Sequence, residues 1–595
     1  MPSYKAPLRD IRFVMDELLE LDQRPRLPGH EEITPDTVNA VLEAAATLSE
    51  EVLFPLNRSG DEEGSVFENG VVRTPKGFKK AYEAFTAGGW TGLACDPAYG
   101  GQGLPHLLQF VVEEMLCSAN LSFAMFPGLS QGAYAAIERH ATPELKATYL
   151  PHLAKGDWSG TMCLTEPHCG TDLGLIRTRA QPKEDGKYAI TGTKIFISAG
   201  EHDLTDNIIH LVLARLPDAP PGIRGISLFL VPKILVKDRA GELGPRNGVR
   251  CGSIEHKMGI KASPTCVLNF DEAEGYLVGE KHRGMRCMFT MMNAARLGVG
   301  MQGLALAEVS YQNARDYARD RLQGRSLKGA QYPDKPADPI IVHPDVRKNL
   351  LTIKAFTEGA RALAYWIGAA IDEAERHPDA GQREAAEDLV ALMTPVIKAY
   401  FTDQGFASTV FGQQVLGGHG YIREWGMEQY VRDARIAQIY EGANGIQALD
   451  LVGRKLPQHM GRLLRRFFHP VDAFIQEHGT DPALAEFVLP LAKAFARLQQ
   501  ATAQVAEKGL KDPDEAGAAA SDYLRLFALV ALAFMWARMV KVAHAKLGAD
   551  PEGFYKAKIA TARFYMQRVL PESNALFQSL IAGARPLMEM EVAAF

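Results

Sequence analysis

The sequence predicts a mostly α-helical protein with a central antiparallel sheet or barrel and an additional helical region at its C-terminal end. Three observations indicate this class: helical periodicity over residues 35–158, short β-branched runs over 159–282, and helical periodicity again from 283 onward. With 595 residues, 47% of them hydrophobic, the chain can bury more than one core, so we expect several domains.

The first helical region follows an N-terminal extension, residues 1–34. In the stretch VNAVLEAAATLSEEVLFPLN, apolar side chains recur at the spacing of one helix face, at Val38, Val41, Leu42 and Ala45. We therefore expect an N-terminal helical domain over residues 35–158.

The middle region, residues 159–282, has the residue pattern of β-strands. Its runs are KYAITGTKIFISAG, NIIHLVLARL, GISLFLVPKIL and TCVLNFDEAEGYLVG, broken by Gly, Pro and Asp. Because no helical crossovers separate these runs, an antiparallel sheet or barrel is favoured over a Rossmann sheet.

Helical patterns return over 283–455, where Leu304, Ala307 and Tyr311 begin one apolar stripe, and over a final region, 456–595. The longest apolar run, Leu526–Ala537, is shorter than the roughly 18–20 residues that span a bilayer. We expect it to be a buried core helix. The N-terminus carries charge throughout and lacks the apolar segment of a signal peptide. The sequence thus predicts a soluble protein with no integral membrane segment.

The bulk charge and the cysteines exclude some classes. The formal net charge of -6 gives no electrostatic reason to expect nucleic-acid binding. The seven cysteines lack zinc or redox spacing, which favours reduced thiols and a cytoplasmic location. No metal motif occurs, and His168 and His419 are expected to make ring packing or hydrogen bonds.

Two familiar motifs are misleading here. Gly128-Leu-Ser130-Gln-Gly132 matches the nucleophile elbow of serine hydrolases, but it lies among helical patterns and not in a β/α frame. Gly298-Val-Gly300-Met-Gln-Gly303 matches a dinucleotide fingerprint, but it follows a helical run and not a strand. We expect these glycines to allow close helix packing. A serine hydrolase acting through Ser130 remains an alternative, and it predicts labelling by a fluorophosphonate.

The most informative stretch runs from Val415 to Leu456. It contains a glycine turn, a charged helix, the segment Ile439-Tyr440-Glu441-Gly442, and then a new helix. Glu441 follows two apolar or aromatic residues and precedes a glycine, where the chain can turn sharply. A carboxylate against apolar walls has its ionised form disfavoured, which raises its pKa towards that of a general base.

At this point the sequence resembles the acyl-CoA dehydrogenase family over roughly residues 35–455. The resemblance rests on five ordered segments: MCLTEPHCGTDLGLIRTRA, GTKIFISAG, NAAR with the following RDR, QVLGGHGY, and QIYEG. It implies the family fold of a helical domain, a β-barrel and a four-helix domain. The tail after Gly453 is similar to a long-tailed branch that includes long-chain and bacterial 3-methylthiopropanoyl-CoA dehydrogenases.

The resemblance implies an FAD-dependent α,β-dehydrogenation of an acyl-CoA to the trans-2-enoyl-CoA. Glu441 would remove the α-proton while the β-hydrogen leaves as hydride to the flavin. The backbone N–H of Glu441 and a ribityl hydroxyl would stabilise the enolate-like oxygen, as in an oxyanion hole. Electrons would pass to an electron-transferring flavoprotein.

The resemblance also assigns binding residues. Phe196 would stack on the flavin and the Ser198 hydroxyl would lie near its N5 atom. The full set of expected FAD-binding residues is Met162, Leu164, Thr165, Thr171, Phe196, Ser198, Arg321, Gln414, Gly417 and Gly418. The expected substrate-binding residues are Thr171, Asn293, Arg296, Tyr440 and Gly442. Leu129 and Phe126 are candidates for the acyl pocket.

The sequence departs from the family at two places. Ala443 stands where a threonine usually follows the EG pair, and a proline-rich insertion lies between Arg325 and His343. Both bear on nucleotide binding. The alternatives to a dehydrogenase are an acyl-CoA oxidase that uses oxygen and a catalytically inactive relative that acts as a binding protein. A homodimer is expected by analogy, and the C-terminal region is expected to pack on its body.

Overall fold

The computed structural model describes residues 2–23, 26–550 and 552–595. These residues form two compact units. We call one the helical unit; it contains the segments up to Leu42, His106–Glu114 and Val299–Phe595. The other, which we call the mixed unit, contains Glu43–Pro105 and Met115–Gly298.

The α-helices are α1 (Leu8–Arg12), α2 (Pro35–Thr47), α3 (Pro55–Glu63), α4 (Phe78–Ala87), α5 (His106–Ala119), α6 (Leu121–His140), α7 (Pro143–Lys155), α8 (Gly284–Asp320), α9 (Pro344–Arg376), α10 (Ala380–Val415), α11 (Gly418–Tyr421), α12 (Met427–Arg435), α13 (Asn444–Asp450), α14 (Arg462–His478), α15 (Ala485–Lys511), α16 (Pro513–Ala545), α17 (Phe554–Phe564), α18 (Glu572–Ile581) and α19 (Arg585–Met588). The strands are β1 (Val66–Glu68), β2 (Val71–Arg73), β3 (Trp158–Cys163), β4 (Arg179–Pro182), β5 (Tyr188–Ser198), β6 (Asn207–Arg215), β7 (Ile226–Pro232), β8 (Ile234–Val236), β9 (Leu243–Arg246), β10 (Val249–Ile254) and β11 (Thr265–Val278).

The first helical region contains a hairpin that the helical prediction missed. Strands β1 and β2 pair antiparallel around Asn69 and Gly70, whose φ angles are +53° and +80°. Two successive residues with positive φ are typical of the tight type I′ turn, and Asn-Gly is its most frequent sequence. The Asn-Gly dipeptide therefore predicts a β-hairpin inside a region of helical periodicity.

The central sheet has seven strands in the mixed unit. Its order is β10-β11-β5-β4-β6-β3, and β7 pairs with both β11 and β6. Most pairs are antiparallel, as expected, but β3 and β6 run parallel over six residue pairs. The fully antiparallel description is therefore wrong in this part of the sheet. Both strands are buried almost throughout, as parallel strands usually are. Strands β4 and β6 meet at a single residue pair, Arg179 with Arg215, and closure into a barrel remains a prediction.

The helical unit is built around α8, α9 and α10, with close contact between α8 and α10. A Cβ on Gly303 would lie 2.3 Å from the carbonyl oxygen of Phe401, and one on Gly405 would lie 2.4 Å from that of Gly303. The glycines that resemble a dinucleotide motif therefore allow two helices to touch, as expected.

Helix α16 forms the centre of the C-terminal region. The expected core helix over Leu526–Ala537 is confirmed, since these side chains are buried. The indole of Trp536 donates a hydrogen bond of 3.0 Å to the carbonyl of Ala355 on α9. Within the described residues α16 is also the helix that is long and apolar enough to cross a membrane, but 83% of its most apolar window is buried in the protein.

A buried ionic network joins distant segments of the helical unit. Arg361 on α9 donates to Glu114 at 2.6 Å and to Glu308 at 2.9 Å, and it also pairs with Asp10. Lys558 on α17 pairs with the same Asp10. Helices from both ends of the chain are thus bound to one arginine and one aspartate.

Candidate active site

Glu441 lies at a sharp turn in the helical unit. The turn follows a short 3-10 segment, Ile436–Gln438, and precedes α13. Glu441 has φ +56° and Gly442 has φ +87°. The left-handed conformation costs a residue with a side chain about 1–3 kcal/mol, and such residues cluster at functional sites. Glu441 is half-buried.

Tyr440 is held from α8. Its hydroxyl donates a hydrogen bond to the side-chain oxygen of Gln302, which is buried. Gln302 was not among the residues expected at the site. A buried polar residue in the apolar stripe of α8 was the available signal, but it does not indicate which side chain it meets.

The segment expected at the flavin follows β3 in the mixed unit. Met162 lies in β3, and the carbonyl of Thr165 just beyond it accepts a hydrogen bond of 3.0 Å from the N–H of Ile195 on β5. The Lys194 ammonium donates to the carbonyl of Leu164 at 2.9 Å and to the carboxylate of Glu166 at 2.8 Å. This part of the expected site is therefore fixed to β5.

Glu166 receives further donors. The backbone N–H groups of Arg177 and Thr178 and the Thr178 hydroxyl donate to it at 2.7, 3.0 and 2.6 Å. Burial raises the pKa of Glu166, but the Lys194 ammonium and these hydrogen bonds outweigh burial and hold that pKa below its ordinary value. Neither Glu166 nor Lys194 was singled out from the sequence.

Phe196 lies in a bulge of β5. Two residues of β5, Ile195 and Phe196, stand opposite the single residue Val267 of β11. Phe196 has φ +59°, and 58% of its surface is exposed. Bulges re-aim side chains and are frequent next to active sites. Ser198, paired with Thr265, is half-buried near the end of the same strand, and Thr171 is exposed in the loop after β3.

The residues expected at the coenzyme A end lie on α8. Arg296 is buried, with its Nη1 atom 3.5 Å from the side-chain oxygen of Asn293, one turn earlier and exposed. Its guanidinium carbon lies 5.6 Å from the centre of the Phe289 ring.

The residues expected at the nucleotide lie at the ends of two helices in the helical unit. Arg321 follows α8, and Gln414 is in the last turn of α10, before Gly417 and Gly418; all four are exposed. The Tyr317 hydroxyl on α8 makes a hydrogen bond of 2.9 Å with His419, linking the end of α8 to the glycine turn.

Ser130, His419 and His168 have structural surroundings of the kind that the sequence indicated. Ser130 lies within α6, and its hydroxyl donates to Phe126 and accepts from the N–H of Gly160, both at 3.1 Å. It has no place in a nucleophile elbow. His419 stacks on Trp425 with ring centres 4.4 Å apart, while His168 bonds the carbonyl of Leu175 at 2.9 Å. Potential ligand atoms of Glu166, His168 and Cys169 do converge, but Lys194 already neutralises Glu166.

Four family models match the chain in order. They describe the N-terminal domain (residues 35–157), the middle domain (161–273) and the C-terminal domain (282–456) of acyl-CoA dehydrogenases, and an acetyl-CoA dehydrogenase C-terminal-like domain (467–591). The chain belongs to the acyl-CoA dehydrogenase family. The expected class, an FAD-dependent oxidoreductase acting on an acyl-CoA with electrons passed to an electron-transferring flavoprotein, is confirmed at the level of the family.

Two relatives match this chain over almost its full length. The chain is 44% identical over 576 residues to the 3-methylmercaptopropionyl-CoA dehydrogenase of Ruegeria pomeroyi, covering 96% of this chain and 97% of that protein. It is 34% identical over 618 residues to the broad-specificity linear acyl-CoA dehydrogenase FadE5 of Mycobacterium tuberculosis, covering 100% of both. In fold it is similar to Caenorhabditis elegans ACDH-11 in complex with C11-CoA, with a TM-score of 0.77, 20% identity and coverage of 95% of this chain and 91% of that one.

Proposed function

We propose that the protein oxidises the CoA thioester of a short linear acid, 3-methylmercaptopropionate or a fatty acid, with Glu441 as the base that removes the α-proton. The observation that carries this proposal is the left-handed turn at Glu441 in a chain of this family. A strained carboxylate-bearing residue beside an aromatic and a glycine is a fitting general base. The 44% identity to a 3-methylmercaptopropionyl-CoA dehydrogenase supports that substrate.

The residues expected at FAD fit a flavin. Phe196 offers an exposed aromatic ring on a rigid strand, and a ring of this kind gains stability when another planar ring covers it. A side chain added at Gly417 or Gly418 would meet nothing within 4 Å, so the glycine turn leaves room for a nucleotide. Bound FAD would supply the hydride acceptor. Thr165, Thr171 and Ser198 would orient it, and Arg321 and Gln414 would bind its nucleotide part.

For the substrate we propose that Asn293, Arg296 and Thr171 bind the coenzyme A arm, and that Tyr440 and Gly442 border the reacting carbons. The backbone N–H of Glu441 would donate to the thioester oxygen and stabilise the charge that develops as the α-proton leaves. Closure over the acyl chain would exclude water and strengthen this hydrogen bond.

We further propose a cytoplasmic homodimer with no integral membrane segment, reoxidised by an electron-transferring flavoprotein. The burial of α16 supports the absence of a membrane span. The four matched family segments support domain boundaries near residues 35, 159, 283 and 456.

The test is anaerobic titration of the flavin absorbance with butanoyl-, octanoyl-, hexadecanoyl- and 3-methylmercaptopropionyl-CoA, with Glu441→Gln in parallel. We expect bleaching by the short thioesters and none in the variant, which should retain FAD. Equal bleaching by the variant would remove Glu441 from the role of base. A protein that binds no FAD would indicate an inactive relative, and rapid reoxidation by oxygen would indicate an oxidase.

A further inference from the structure

The turn at Glu441 is held by two side chains that the function has not yet used. The carbonyl groups of Glu441 and Gly442 precede α13. The amide nitrogen of Gln447 donates to both carbonyls, at 3.1 and 3.2 Å, and the Lys398 ammonium donates to that of Gly442 at 2.8 Å. Two donors from different helices thus fix two successive left-handed residues.

Lys398 is fully buried, which is costly for an ammonium group unless it is well paired. Its second hydrogen bond, of 2.9 Å, goes to the side-chain oxygen of Asn444, the first residue of α13. The nitrogen of Asn444 donates to Asp403 at 2.7 Å, and so does that of Gln438 from the other side of the turn. A continuous polar network therefore surrounds the backbone of the proposed base.

We propose that Lys398 and Gln447 are positioning residues for Glu441. Their donors hold the carbonyls of two successive residues, Glu441 and Gly442, so the Glu441 side chain extends from a fixed backbone. This inference rests on the proposed role of Glu441 as the base.

Two other charged groups near the turn form hydrogen bonds with side chains around it. Asp403 on α10 accepts from Gln438 and Asn444, and Arg435 on α12 donates to Gln438 at 3.2 Å. On the side of α8, the Tyr440 hydroxyl contacts the neutral side chain of Gln302. Of the two side chains described here as donors to the carbonyls of Glu441 and Gly442, Lys398 is charged and Gln447 is neutral.

The test compares Lys398→Met with Lys558→Met in the holoenzyme. Both variants remove a buried lysine of the helical unit, but Lys558 pairs with Asp10 and Glu358, away from the turn. Stopped-flow reduction of the flavin by the thioester that bleaches it gives a rate constant and a substrate dissociation constant. For Lys398→Met we expect a rate at least 30-fold lower and a dissociation constant within threefold, because the base is misplaced while substrate binding is retained. Lys558→Met should keep the wild-type rate.

Gln447→Met provides a second variant should Lys398→Met not retain FAD. It removes the donor to the carbonyls of Glu441 and Gly442, so we expect about tenfold slower reduction with the dissociation constant again within threefold. Wild-type rates in both variants, while Glu441→Gln is inactive, would overturn the positioning roles and leave the base in place. Normal reduction by Glu441→Gln would instead refute the proposed function.

Discussion

The Lys194 ammonium lies 2.8 Å from the Glu166 carboxylate, and neither side chain has more than 3% of its surface exposed. Both groups adjoin the segment that we expect at the flavin. A charge pair taken out of water is stable only while both partners are present, because a single charge left behind has no solvent to stabilise it. The pair therefore links the integrity of the mixed unit to that of the proposed flavin site.

We expect Lys194→Met to lower the free energy of unfolding by about 3–5 kcal/mol, since it leaves Glu166 buried and unpaired. FAD retention should fall with it, because the Leu164 carbonyl loses its donor. Urea denaturation and the flavin-to-protein absorbance ratio measure the two effects. Lys187→Met is the matched control: its pair with Glu274 is partly exposed, so its loss should cost at most about 1 kcal/mol. Equal losses of unfolding free energy in the two variants would show that the buried pair contributes no more to stability than the partly exposed one.

Phe196→Ala tests the aromatic ring in the bulge of β5. Because the ring is 58% exposed, its removal should change the free energy of unfolding by no more than about 0.5 kcal/mol. If it stacks on the flavin, the dissociation constant of FAD should rise about three- to tenfold. Fluorescence titration of the apoprotein with FAD measures this. Ile223→Ala, at a similarly exposed position of the mixed unit, should leave FAD binding unchanged.

Two glycine substitutions should act in opposite directions. Gly303→Ala would bring a Cβ within 2.3 Å of the Phe401 carbonyl oxygen, so α8 and α10 must separate, and we expect a loss of about 1–3 kcal/mol. At Gly517, an exposed position in α16, a Cβ meets nothing within 4 Å. Gly517→Ala should therefore stabilise the protein by about 0.5–1 kcal/mol through helix propensity. An unchanged or raised unfolding temperature for Gly303→Ala would contradict the close packing of α8 and α10, and a lowered one for Gly517→Ala would contradict the propensity argument.

Burial lowers the pKa of His210 to about 3, assisted by the charges of Lys233 and Arg246. At a pH below 6.5, the ordinary pKa of histidine, this side chain binds a proton in the unfolded chain but not in the folded protein. The free energy of unfolding therefore decreases as the pH falls from 6.5 towards 3. This histidine should contribute up to about 1.4 kcal/mol per pH unit to that loss. Denaturation of His210→Asn between pH 4 and pH 7 should give a flatter profile of unfolding free energy against pH, and an unchanged slope would refute the contribution of this histidine.

Some of the architecture followed directly from residue patterns. Helical periodicity indicated α2 and α8, and the apolar run 526–537 indicated a buried helix. The parallel pairing of β3 with β6 could not be derived in this way, because strand direction depends on how the intervening segments cross the sheet. The hairpin at Asn69-Gly70 was overlooked although its turn signal was present, since the surrounding helical periodicity dominated the interpretation.

The residues of the candidate site also fall into two groups, those that a sequence motif indicated and those that it did not. A short motif marks Glu441 because a glycine and an aromatic residue beside a carboxylate are adjacent in sequence. Lys398 and Gln302 lie 43 and 139 positions before it, within otherwise apolar helices, and they reach the turn only through the packing of α8 and α10. A charged residue inside an apolar run shows that a partner must exist, but the partner's identity depends on the tertiary fold.

The shared pairing of Asp10 with Arg361 and Lys558 has a consequence for synthesis on the ribosome. The mixed unit ends at Gly298, so it has its full complement of residues early in translation. The helical unit begins at the N-terminus, but its Asp10 pairs with Lys558, which is synthesised 260 residues after Gly298. At 5–20 residues per second this interval is roughly 13 to 52 s. Throughout it, Asp10 can pair with Arg361 but not yet with Lys558, so the ionic network is completed only when the last helices have been synthesised.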